Sequence, residues 1–197
     1  MFSILASHRA ALRARYGEPH RHHHGLPHVE AMLAGLRDLD GAVVHPAAVE
    51  VAIWYHDAVY DPARTDNEAR SAALLRAELD GLAHPDLVEG ADLLVRLTAG
   101  HHLPADLAPR WRGDAALFLD LDLAVLGASA EVYDAYEAGI AAEHEPVHGP
   151  AYRPGRAAFL ESLLARPRLY HSERFHGALD ASARANLRRA LSGLRGG

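Results

Sequence analysis

The chain has 197 residues, of which 49% are hydrophobic and 23% charged. These are ordinary values for one globular domain spanning 1–197, and they exclude collagen-like and wholly disordered classes. Cysteine is absent and all 20 basic residues are arginine. Disulfides, thiolate nucleophiles, Schiff bases and a P-loop lysine are thereby excluded. The net charge of −6 argues against nucleic acid as the main partner. No run of about 18 apolar residues suits a membrane span.

The opening MFSILASHRAALRAR has no basic n-region, and Ser7, His8 and Arg9 interrupt its apolar run. It reads as no signal peptide, and a cytoplasmic protein is the expectation. Residues 2–15 carry apolar positions at helical spacing and stop at Gly17 and Pro19. Pro27 suits the first turn of a helix that continues to Gly41, and Pro46 opens another, AAVEVAIWYHDAVY, ending near Asp61 and Pro62. Thr65-Asp66-Asn67-Glu68 reads as a capping box ahead of ARSAALLRAELDGL. Pro85 opens DLVEGADLLVRLTAGHH. Gly113-Asp114 precedes AALFLDLDLAVLG, with Gly127 expected just past its end. Ser129 caps AEVYDAYEAGIAAEH. Glu145–Pro154, with three prolines and Gly149, reads as a loop. Helices resume in GRAAFLESLLAR, and Asp180 or Ser182 caps the last, ARANLRRALSGL. No alternating strands flanked by hairpin turns occur. The expectation is a single-domain, all-α bundle of roughly eight to ten helices with short connections.

Histidine is the anomaly: there are fifteen, five of them within His20–His28. HRHHHGLPH sits where a turn enters a helix, and read alone it is either a solvated turn or a ligand cluster. His56-Asp57 lies near the end of a very apolar helix, where an unpaired charge is costly. Asp120 and Asp122 interrupt LFLDLDLAVLG; the plain alternative is an amphipathic helix showing both acids to water. His101 and His102 follow Thr98-Ala99-Gly100 at a helix C-terminus, which favours a cation anyway. Taken together, imidazole and carboxylate groups without thiolate suit one divalent transition metal: Mn, Fe, Co, Ni or Zn. Two His and two Asp leave positions open for water and substrate.

The ordered set H…HD…D resembles the HD superfamily of metal-dependent phosphohydrolases, and within it the bacterial subgroup of predicted HD-superfamily phosphohydrolases. The matching stretches are YGEPHRHHHGLPHVEAML, VAIWYHDAVYDP, DNEARSA, LTAGHH, FLDLDLAVLG, AYRPGR and ARANL, from Tyr16 to Leu187. The resemblance implies an HD-type helical bundle that hydrolyses a phosphate ester of a nucleotide or similar small phosphorylated metabolite, with metal-bound hydroxide as the nucleophile. It implies His28, His56, Asp57 and Asp122 as metal ligands, with Asp120 the alternative to Asp122. His24 matches the leaving-group acid of cyclic-nucleotide phosphodiesterases in the same superfamily. The chain departs from the subgroup at His23, where RHYH has its tyrosine. It departs again at Ile140–His144, where the subgroup reads IxxEY.

Other residues carry two readings. Glu68 either caps its helix or, as the resemblance implies, holds a metal-bound water. His101 is either a turn residue or an outer ligand or phosphate contact, and Arg21 and Arg156 are either phosphate contacts or surface residues. His45 and His84 read as turn residues before a proline. His144 and His148 have ligand-like spacing, but Pro146 between them argues against a helical pair. Three rival functions stay open. A cyclic-nucleotide or cyclic-dinucleotide phosphodiesterase would need a second metal, drawing on His101 and Glu68. A di-iron oxygenase would draw on His84, His101 and His102. The third is a non-enzymatic metal- or nucleotide-binding module.

Overall fold

Helical patterning with no strand pattern gives helices throughout. The computed structural model describes residues 6–196, with side chains from residue 8 onward. The expectation of helix over residues 2–5 lies outside them. Among the described residues there are nine α-helices, two short 3₁₀ turns and no strand. The helices are α1 (Ala6–Tyr16), α2 (Leu26–Asp38), α3 (Pro46–Tyr55), α4 (Asn67–Leu79), α5 (Pro85–Leu97), α6 (Pro109–Asp122), α7 (Ala130–His148), α8 (Tyr152–Leu164) and α9 (Glu173–Gly196). No described helix is long and apolar enough to cross a membrane.

Two compact units can be told apart, one up to Leu121 and one from Asp122 onward. The first is organised around α3, in which every residue from Val51 to Tyr55 is buried. A helix that is apolar all round belongs in a core, and α3 packs against α1, α2, α4 and α5. Its N-cap, His45, makes no capping bond with its own side chain. The role falls to Asp114, one α-turn past Trp111 on α6. Its carboxylate accepts the Val44 and His45 amides, both at 2.8 Å, and His45 Nδ1 at 2.7 Å. Gly90 on α5 faces Trp111 so closely that a Cβ would lie 2.1 Å from the indole. In the second unit, Leu126, Tyr133, Leu160, Leu163, Tyr170, Leu187 and their neighbours form the core.

Several boundaries differ from the sequence reading. α3 stops at Tyr55, so His56 caps the helix and the segment to Tyr60 is a turn. The capping box does not form: α4 starts at Asn67, and the Asp66 side chain pairs with Arg64 instead of the helix. α6 begins at Pro109, which places Gly113 and Asp114 inside it. Gly127 is demanded by packing, because a Cβ there would lie 2.6 Å from Leu179. Glu145–Pro154 is mostly helical. Pro146 falls in the last turn of α7, and Pro154 falls in the first turn of α8, where a missing N–H costs little. α9 starts earlier than expected, after Ser172, whose Oγ accepts the Phe175 amide. Asp180 therefore sits inside it, accepting Arg184 and the Leu169 amide. His45, His84 and Ser129 stand at helix starts as read.

Candidate metal centre

Three helices deliver the candidate ligands. Leu26 and Pro27 open α2 and put His28 in its first turn, 9% exposed. The end of α3 delivers His56, 1% exposed. α6 runs to Asp122, one residue past the division between the units, so its helix sets that carboxylate's position. One ligand atom from each of His28, His56 and Asp122 lies within 4.8 Å of the others. Ligands each about 2.0–2.2 Å from one cation stand at separations of that order.

The chemistry of the donor set fits a cation. His56 Nδ1 lies 2.9 Å from the Ile53 carbonyl oxygen. That oxygen can only accept, so Nδ1 carries the hydrogen and Nε2 presents a lone pair to the site. His28 Nε2 faces it at 3.2 Å, and Asp57 Oδ2 lies 3.1 Å away. A divalent cation would draw both imidazole lone pairs and offset the carboxylate charge. Phe118 meets the His56 ring edge-on at 6.3 Å and backs it with apolar surface. Asp57 stands beside the convergent trio rather than within it. Its amide donates to the Tyr16 hydroxyl at 3.3 Å.

The remaining candidates fall in different places. The His24 ring stacks on Tyr60 at 4.3 Å and meets His23 edge-on at 4.9 Å. His23 in turn lies 4.9 Å from His28. Asp120 is fully buried while Asp122 is partly exposed, so these acids do not form a solvated face. Glu68, in the first turn of α4, and His101, in the turn closing α5, are partly exposed and lie outside the convergent trio. His101 adopts the left-handed backbone region, with φ 51°, uncommon outside glycine. The DNEARSA stretch acts through other residues. The Asn67 side chain accepts the Asp61 amide and donates to its carbonyl, and Ser71 does the same for Val59. Together they fix the turn that follows Asp57.

Two arginines that read as either phosphate contacts or surface residues are buried and bonded to protein acceptors. Arg21 has a fully buried side chain that donates to Glu18 and to the carbonyls of His24, Asp57 and Ala58. Arg156, in the second unit, bonds Glu137 and the Tyr136 hydroxyl. Burial works against its charge, but Tyr136 and Glu137 outweigh it and hold the guanidinium above its ordinary pKa. Both forks are spent on protein acceptors. His144 and His148 do form a helical pair, their rings stacked at 5.6 Å on α7, because Pro146 sits within the helix rather than ending it.

Sequence reasoning missed Tyr60 and Asp114. Tyr60 was absorbed into an over-long helix, and Asp114 was read as a residue preceding a helix. No family model matches the chain, and no curated protein or solved structure does.

Proposed function

We propose that the chain is a metal-dependent phosphohydrolase of the HD type, acting on a phosphate ester of a nucleotide or similar small phosphorylated metabolite. The observation that carries this reading is the convergence of His28, His56 and Asp122, with the His56 tautomer set by the Ile53 carbonyl. In this reading His28, His56, Asp57 and Asp122 hold one divalent transition metal, Mn, Fe, Co, Ni or Zn. Such a cation would supply Lewis acidity, lowering the pKa of a bound water and offsetting charge on the phosphoryl group.

The protein's own groups then have separate tasks. Ile53 orients His56. Phe118 excludes water from one side of its ring. His24, one imidazole removed from His28, holds a ring proton for the leaving oxygen, and its stacking on Tyr60 limits where that proton points. The test is metal analysis of protein prepared without chelator, followed by a screen of phosphorylated metabolites with Mn²⁺ or Co²⁺. The expected result is one metal per chain and release of phosphate. Stoichiometric metal surviving the His56→Ala/Asp57→Ala double substitution would overturn the ligand set, and a metal ratio of two would favour a two-metal phosphodiesterase.

A further inference from the structure

Arg21, beside the candidate centre, donates to four protein acceptors. Its side chain is 0% exposed. Nε donates to Glu18 Oε2 at 3.0 Å, NH1 to the His24 carbonyl at 3.1 Å and the Asp57 carbonyl at 2.7 Å, and NH2 to the Ala58 carbonyl at 3.3 Å. The guanidinium plane also lies over two rings, 5.2 Å from Tyr16 and 5.4 Å from Tyr60. Both rings lead back to the site. The Tyr16 hydroxyl accepts the Asp57 amide and donates to the Trp54 carbonyl. Tyr60 carries the His24 ring on its face.

We propose that Arg21 is a positioning residue that fixes the histidine loop against the turn carrying Asp57, setting the distance between His24 and the candidate ligands. This rests on the reading of His28, His56, Asp57 and Asp122 as a metal centre. The geometry gives a specific reason for arginine. Asp57 is gripped at both of its peptide groups, at N–H by Tyr16 and at C=O by Arg21. The carbonyl of His24, 33 residues earlier in the chain, is bonded by the same NH1. One nitrogen, NH1, bridges both carbonyls while Nε and NH2 of the same planar fork hold Glu18 and the Ala58 carbonyl, and its charge meets the negative end of α3, where carbonyls just past the last turn have no helical partner. A lysine ammonium is a point donor with no such fork. Arg21 thus acts through backbone on the two groups proposed to do chemistry.

The experiment compares Arg21→Lys, Arg21→Met and the control Glu18→Gln, each first checked for folding by far-UV circular dichroism. Each is then titrated with Co²⁺ and followed by visible absorption. Folded Arg21 variants should bind Co²⁺ at least about tenfold more weakly, with an altered absorption band, as loss of a group supporting metal ligands typically does. Glu18→Gln, which leaves the carbonyl bridge intact, should match the parent. Folded Arg21→Lys with parental affinity and absorption would overturn the proposal. So would failure of both Arg21 variants to fold, which would make the residue a core element only. Absence of Co²⁺ uptake by the parent protein would sink the metal reading, and the positioning role is then read from imidazole NMR signals of metal-free protein. There His24 and His56 should shift in Arg21→Lys while His171 and His176 hold still. Unmoved His24 and His56 signals would refute it.

Discussion

Asp114 ties α6 to the start of the helix that delivers His56, so its removal should be felt well beyond its own position. Its side chain is fully buried and accepts three donors: the Val44 amide, the His45 amide and His45 Nδ1. Asp114→Ala removes the cap of α3, worth about 1 kcal/mol in typical hosts. It also removes a charge-assisted bond to His45, worth about 1.5–3 kcal/mol. The sum is about 3 kcal/mol, on the order of a hundredfold in the folded-to-unfolded ratio. Both tryptophans, Trp54 and Trp111, lie in the unit up to Leu121. Urea unfolding followed by tryptophan fluorescence therefore reports this unit alone. Asp114→Asn should cost nearly as much, because an amide can accept from one side of the donor cluster only by turning its own N–H groups toward the other. His45→Ala, which deletes only the charge-assisted bond and keeps the two amide bonds, should cost about 1.5–3 kcal/mol. If both Asp114 variants unfold within about 0.5 kcal/mol of the parent, the range of ordinary surface changes, the remote-cap argument is wrong.

Three further outcomes are expected. His24→Ala should keep its metal and lose turnover by about 10²–10⁴-fold, the usual worth of a general acid. The loss should shrink on p-nitrophenyl phosphate, whose leaving group needs no proton, and an equal loss on both ester types removes the acid role. Asp122→Asn should weaken metal binding while leaving the fold intact, whereas Asp120→Asn, at a fully buried position, should lower thermal stability more than metal affinity; the reverse pattern would exchange their roles. In the second unit, burial works to raise the Asp180 pKa, but the Arg184 guanidinium and the Leu169 amide outweigh it and hold the carboxyl below its ordinary range. A depressed folded pKa means stability that is full above about pH 4 and fades as pH falls through the folded value. Asp180→Asn should flatten the acid limb of a melting-temperature profile, and superimposable limbs would contradict this.

The sequence by itself determined that this is a helical protein and where most helices begin. Pro27, Pro46 and Pro85 lie at the first or second position of their helices, because proline is pre-set for a first turn and has no N–H to lose there. The resemblance carried by the sequence motifs also brought His28, His56, Asp57 and Asp122 forward as one set, with Asp120 as the alternative to Asp122. Only the tertiary structure decided what each remaining polar group does. A burial pattern does not say which distant acceptors a guanidinium will meet, so in the sequence Arg21 and Arg156 stay open between phosphate contact and surface residue, whereas in the fold they are spent on protein acceptors. Nor does local spacing reveal a cap supplied from another helix, as Asp114 supplies α3, or choose between Asp120 and Asp122. Those outcomes depend on how α2, α3 and α6 approach one another, and packing fixes that approach through contacts between residues far apart in the chain.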